Sequence, residues 1–261
     1  MLKFCSLYSG SSGNSLLLQT DKSNILIDAG VSAKKIETAL CSININPTDI
    51  NAILITHEHS DHIQGLGTLS KKFNIPVYAN EKTWQYLPKD KISKENQNIF
   101  CISSFFEIQD LKILPFSIPH DAIDPCGFNI YHGNNKISIA TDIGHIDSNI
   151  LCQLQNSSFV MLESNYDPDI LKCSSYPYNL KMRIAGPNGH LSNSTAGKTI
   201  AKLVNTGLKS VMLGHLSKEN NFPELAYKTV IDELNSQNID ENILKLSIAE
   251  RFKPSNIISI A

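Results

Sequence analysis

At 261 residues, with 41% hydrophobic and 18% charged side chains, the chain can bury a sizeable core and lies outside the composition of disordered proteins. A formal net charge of −2 excludes a global field that draws the protein to polyanions, so an anionic substrate must be held by local groups. No apolar run approaches the length of a bilayer span, and Met1-Leu2-Lys3-Phe4-Cys5-Ser6 lacks the pattern of a leader peptide, so a cytoplasmic protein is expected. Runs rich in β-branched and aromatic residues predict strands at 2–8, 15–20, 24–28, 52–56, 111–119, 127–132, 136–141, 159–163, 210–213 and 244–248. Apolar residues at three- and four-residue spacing predict helices at 32–40, 64–73, 194–204 and 224–234. Three strands precede the first helix, so strict βαβ alternation fails. Two mixed sheets covered by helices, in one α/β (α+β) domain over 1–261, fit the pattern better.

The segment Ile53-Leu54-Ile55-Thr56-His57-Glu58-His59-Ser60-Asp61-His62 runs a buried strand straight into three imidazoles and a carboxylate. Such crowding suits zinc, manganese or iron. His57 and His59, two apart in an extended stretch, can point at one ion, and Asp61 and His62 can turn towards a second. Position 61 is Asp, which rules out the helical H-E-x-x-H protease motif. A dinuclear site needs further ligands, and His120, Asp142, His190 and His215 follow strand-like runs or occupy tight turns. His132 and His145 lack such placement and read as ordinary polar residues. Six cysteines without a C-x-x-C pair suit reduced thiols rather than a zinc finger. Gly197-Lys198-Thr199 mimics the end of a P-loop, but no strand leads into it, and it reads as part of a capped helix.

The chain resembles metallo-β-lactamase-fold hydrolases, whose αββα sandwich carries an early Asp after a strand, then H-x-H-x-D-H, then a His, an Asp and a final His at strand ends. Here these are Asp28, His57, His59, Asp61, His62, His120, Asp142 and His215. Within that superfamily it is similar to the WalJ (YycJ) group of bacterial proteins. The similarity runs through Ser9-Gly10-Ser11-Ser12-Gly13-Asn14-Ser15, Tyr78-Ala79-Asn80-Glu81-Lys82-Thr83-Trp84, Glu163-Ser164-Asn165, Gly189-His190-Leu191-Ser192-Asn193 and His215-Leu216-Ser217-Lys218-Glu219-Asn220-Asn221. Tyr166 departs from the His that usually follows Glu-Ser-Asn, so any imidazole role is lost there.

The resemblance implies two divalent metal ions, zinc or manganese with iron as a further option. His57, His59 and His120 would hold one, Asp61, His62 and His215 the other, and Asp142 would bridge them around a shared water that acts as nucleophile. Asp28 is expected to orient the His-rich loop rather than ligate. Asp61 and His190 form the expected catalytic pair, with His190 contacting the scissile phosphate or protonating the leaving group. Ser11, Gly13 and Asn14 in the small-residue loop, with Lys218 and Asn220 after His215, are the candidate substrate contacts. For the loop, a plain tight turn is an equal reading.

The WalJ-type match implies a phosphodiester-cleaving nuclease, a 5′-to-3′ DNA exonuclease, with DNA as partner and no membrane association. The same ligand set also serves other esters. A small-molecule hydrolase, either a cyclic phosphodiesterase or a glyoxalase II-like thioesterase, is therefore the alternative, and a regulatory metal-binding protein without activity is the non-enzymatic one.

Overall fold

The computed structural model describes residues 1–260. The first half supplies β1 (Leu2–Tyr8), β2 (Ser15–Gln19), β3 (Asn24–Ile27), β4 (Ala52–Leu54), β5 (Val77–Asn80) and β6 (Gln97–Phe100). The second supplies β7 (Phe106–Ile108), β8 (Leu111–Ser117), β9 (Cys126–His132), β10 (Asn135–Ala140), β11 (Phe159–Glu163), β12 (Ser210–Gly214) and β13 (Lys245–Ile248). The chain then returns to the first sheet as β14 (Ile258–Ile260). The two seven-stranded sheets have the orders β14-β1-β2-β3-β4-β5-β6 and β13-β12-β11-β10-β9-β8-β7. Each is antiparallel on one side and parallel on the other: β3 to β6 run parallel in the first sheet, and β10 to β13 in the second.

Strands buried on both faces are apolar at every position, and their two-residue period divides the side chains between layers. In β3 and β4, Ile25, Ile27 and Leu54 face the opposite sheet. Leu26 and Ile53 face outward. In β11, Phe159 and Met161 point inward, and Val160 and Leu162 point outward. Phe4 and Phe159 meet across the gap with ring centroids 4.7 Å apart. Helices α1 (Ala33–Ser42) and α3 (Leu66–Phe73) cover the first sheet, packing Ile36, Leu40, Leu66 and Leu69 on it. Helices α5 (Ser148–Leu154), α8 (Asn193–Val204) and α9 (Pro223–Ser236) cover the second through Ile150, Leu154, Ile200, Val230 and Leu234. The result is the expected four-layer sandwich.

All ten expected strands and all four expected helices are present, with ends moved by a residue or two in most cases. The strands β5, β6, β7 and β14, three or four residues long, were not expected, because so short a run has no measurable alternation. Short helices α2 (Ser60–Ile63), α4 (Glu81–Trp84), α6 (Pro168–Cys173) and α7 (Tyr178–Ile184) fall below the window in which a 3.6-residue period can be read. The Gly197-Lys198-Thr199 stretch lies inside α8, capped by Ser192, whose side chain accepts from the Thr195 amide. A Cβ on Gly197 would lie 2.8 Å from Glu233 Cβ, so the glycine serves close packing of α8 on α9. Among the described residues no helix is long and apolar enough to cross a membrane.

Candidate metal centre

The C-terminal ends of β3, β4, β10, β11 and β12 open on one edge of the sandwich, and the polar residues that follow them converge there. Three of these residues leave their strands in the left-handed region: Asp28 (φ 62°), Asp142 (φ 57°) and His215 (φ 52°). That conformation costs roughly 1–2 kcal/mol for an ordinary L-residue, and aspartate meets it more readily than histidine does. The same sharp turn in three strands swings the side chains off the sheets and into the gap. His215 is held in it by Ser9 Oγ, which accepts from its amide at 2.8 Å, and by Asn165 Nδ2, which donates to its carbonyl at 2.8 Å.

After β4 the chain bends at Thr56 and then turns into α2, with His59, extended, at its N-cap. His57 Nε2 and His59 Nδ1 come within 3.1 Å of each other. Asp28 lies behind the cluster. Its Oδ1 accepts from the Thr56 amide at 2.9 Å, and its Oδ2 accepts from Thr56 Oγ1 at 2.8 Å and meets His62 Nδ1 at 2.7 Å. With Nδ1 committed to a carboxylate, His62 presents Nε2 to Asp142 Oδ2, 3.2 Å away.

Four groups of donor atoms lie within 4.8 Å of one another: His57, His59 and His120; Asp61, His62 and His215; His57, His62 and Asp142; and Asp142, Glu163, His190 and His215. The first two are the triplets that the sequence resemblance implied, and the third puts Asp142 between them. Asp142 Oδ2 and His215 Nε2 are buried with no hydrogen-bond partner. Buried polar atoms are almost always satisfied, and a mixed imidazole and carboxylate set of this kind is a divalent-metal donor set. The residues therefore fit divalent metal ions.

Charge within the site is divided between its parts. Burial, added to the neighbouring imidazole of His62, holds His57 well below the usual histidine range, and burial likewise lowers His120. Burial also acts against the charged form of His215, but the nearby carboxylates of Asp142, Asp61 and Glu163, the last at 2.7 Å from Nδ1, outweigh it and raise the pKa to about 10. His62 is raised in the same way by Asp142 and Asp28. Asp142 resists its own burial because His215 and His62 surround it, and stays well below the usual carboxylate range. The carboxylates around His62 and His215 thus favour the protonated form of both imidazoles.

Glu163, the last residue of β11 and fully buried, is the centre of this arrangement, although the sequence reading assigned it no role. Its Oε1 meets His190 Nδ1 at 2.8 Å and His215 Nδ1 at 2.7 Å. Its Oε2 accepts from the amides of Ile143 at 2.8 Å and Leu191 at 3.2 Å. A carboxylate ending four apolar residues at the C-terminal end of a strand was the available signal. Tyr166, where the related group usually has His, bridges to Ser192, and its carbonyl accepts from the Asn193 amide.

The five candidate substrate contacts separate. Ser11 is exposed and lines clefts on both sides of the cluster. Gly13 and Asn14 lie beneath the cluster and not in the open cleft. A Cβ on Gly13 would lie 2.6 Å from Gly30 O, and Asn14 Nδ2 reaches His62 Nε2 at 3.1 Å while Oδ1 accepts from the Gly10 amide. Asn220 is also turned inward, fully buried against Ser217 Oγ. Lys218 is exposed and lines another cleft with Arg251. Gly13, Asn14 and Asn220 are buried where their loops fold back on the strands.

Residues 23–216 match the family described as the beta-lactamase superfamily domain. Exodeoxyribonuclease WalJ of Streptococcus pneumoniae is 40% identical over 236 residues, spanning 89% of this chain and 88% of its own. Exodeoxyribonuclease YycJ of Bacillus anthracis is 36% identical over 88% of both chains. Among solved structures, the metallo-beta-lactamase fold protein YhfI from Bacillus subtilis superposes with a TM-score of 0.72 over 98% of this chain and 99% of its own, at 15% identity, a likeness of fold alone. The chain therefore belongs to the beta-lactamase superfamily, in the group that includes WalJ and YycJ.

Proposed function

We propose that the chain is a metal-dependent nuclease that hydrolyses phosphodiester bonds in DNA, removing nucleotides from the 5′ end, with two divalent ions per chain. His57, His59 and His120 would hold one ion and Asp61, His62 and His215 the other, with Asp142 between them. The observation that carries this reading is the pair of three-residue donor groups with Asp142 beside both, its Oδ2 buried without a hydrogen bond. When bound, divalent ions here would supply Lewis acidity to a phosphoryl oxygen and would lower the pKa of an attacking water towards roughly 7.

The chain's own residues do the rest. Asp28 and Thr56 fix the tautomer and the direction of His62, and Glu163 does the same for His215. Glu163 also holds His190 by Nδ1 and, together with Asp142, keeps its pKa above the ordinary value against the effect of burial. His190 lines the cleft beside the cluster, so its Nε2 is the proton donor available to a phosphate oxygen or a departing alkoxide. The thioesterase and cyclic-phosphodiesterase readings are not favoured, since similarity to exodeoxyribonucleases runs along 89% of the chain. Six free cysteines suit a reducing, cytoplasmic setting.

The test is purified protein with Mn²⁺ or Zn²⁺ on single- and double-stranded DNA and RNA labelled at either end. Stepwise release of nucleotides from the 5′ end of DNA is expected. Absence of hydrolysis on every substrate by metal-loaded protein overturns the nuclease reading, and preference for RNA overturns the DNA part of it.

A further inference from the structure

The ligand cluster lies between two clefts that share Ser11. The smaller, about 180 Å³, is on the His190 side. The larger, about 500 Å³, begins at Asp61 and runs outward between α3 and the segment after α4, past Gln64 and Thr68 to Tyr86 and Lys91. Its volume is that of a site for a small organic ligand, more than the reacting phosphate needs.

Two side chains on the outer wall are presented rather than buried. Trp84 and Leu87 are 4% and 6% exposed and anchor the segment, Trp84 also donating from Nε1 to Asn98 O at 2.8 Å. Tyr86, between them, is 58% exposed. The stem of Lys91 lies over Gly67 of α3, where a Cβ would come 2.8 Å from Lys91 Cβ and 3.2 Å from its Cδ. Its ammonium is left to solvent, with no acidic partner among the described residues. Lys91 is the one cation among the described residues lining this cleft, at the end away from Glu58 and Asp61. An exposed aromatic ring with an ammonium free of acidic partners beside it, in a cleft leading away from a phosphodiester-cleaving centre, is an arrangement suited to holding single-stranded nucleic acid.

Building on the nuclease reading, we propose that this cleft is the binding subsite for the nucleotides flanking the scissile phosphate, with a base stacked on Tyr86 and a backbone phosphate at Lys91. The inner end of the cleft carries Glu58 and Asp61 and belongs to the metal centre, so a ligand reaching both ends needs one phosphate at the ions and another at Lys91. That requirement selects a polynucleotide strand over a small phosphodiester.

The test is fluorescence anisotropy of a fluorescein-labelled single-stranded oligodeoxynucleotide of roughly 12 nucleotides, with full-length protein in EDTA so that no turnover occurs, paired with KM and kcat on the same strand in Mn²⁺. Tyr86→Ala is expected to weaken Kd and raise KM by roughly 10-fold, and Tyr86→Phe to retain both, because stacking needs the ring and not the hydroxyl. Lys91→Ala is expected to weaken binding and to lower the slope of log Kd against log salt by about 0.7, the value of one phosphate contact on a single strand. Wild-type protein that degrades DNA while Tyr86→Ala and Lys91→Ala match it in Kd, KM and salt slope overturns the subsite and leaves the nuclease reading standing. Wild-type protein that neither binds nor cleaves DNA overturns the nuclease reading, and the subsite with it.

Discussion

Replacing Asp142 by Asn separates the charge of this residue from its conformation. Asp142 sits at φ 57°, and Asn tolerates the left-handed region about as well as Asp, so the backbone gains no strain. The side chain is 2% exposed, with Oδ2 3.2 Å from His62 Nε2 and Oδ1 3.3 Å from His215 Nδ1. A unit charge within about 4 Å of another is worth about 4 kcal/mol at an effective dielectric constant of 20. On the proposed two-ion reading, loss of that interaction corresponds to a fall in turnover of about 10³-fold. Folding should survive, because in the metal-free variant His62 keeps Asp28 and His215 keeps Glu163 as carboxylate partners, each at 2.7 Å, so no imidazolium is buried without an anion. A change of about 1 kcal/mol, which is a few degrees in Tm for a chain of this size, is expected. The assay is exonuclease turnover in Mn²⁺, with metal content by elemental analysis and Tm without metal. Wild-type turnover with two ions retained would refute the role of Asp142 between the metals.

Glu163→Gln should lower metal affinity by about 10- to 100-fold, measured by titration with Mn²⁺. One amide cannot accept from two imidazoles on one atom and two main-chain N–H groups on the other, and unchanged affinity would show that His215 is oriented by other groups. Stabilisation by Mn²⁺ should grow as pH rises from about 6.5 towards the raised pKa of His215, about 10, because each imidazole ligand must release its proton before it binds. The metal-free protein should behave in the opposite sense. The raised pKa of His215 contributes stability that is complete below the ordinary 6.5 and is lost as pH rises through about 10; thermal melts at graded pH with and without Mn²⁺ check both signs. Gly30→Ala should destabilise the fold by about 3 kcal/mol or more, read by chemical denaturation, because its Cβ would lie 1.6 Å from Asp61 O and 2.6 Å from the Asn14 amide nitrogen. A wild-type denaturation midpoint would show that the two loops can separate freely.

The amino-acid sequence by itself determined the two mixed sheets and pointed to the first candidate ligands, because both are written in short-range patterns. Apolar runs such as Ile53-Leu54-Ile55 and Phe159-Val160-Met161-Leu162 announce buried strands wherever they sit in the chain. His57, His59, Asp61 and His62 are crowded within six residues that no core or surface role explains, and resemblance extended the set to His120, Asp142 and His215. Only the tertiary structure decided how these parts serve one another. Glu163 joins His190 and His215 from positions 27 and 52 residues away, and Ser9 supports the His215 turn across 206 residues. Asn14 and Asn220 look like loop residues open to a substrate, yet one reaches His62 and the other is sealed against Ser217. The cleft holding Tyr86 and Lys91 exists because α3 and the segment after α4 are brought side by side. A local pattern records which backbone conformation and which ligand chemistry a segment prefers. Which distant side chain satisfies a buried donor is settled by packing the sheets together, where every unpaired polar group costs free energy and the contacts that remove that cost join residues remote in sequence.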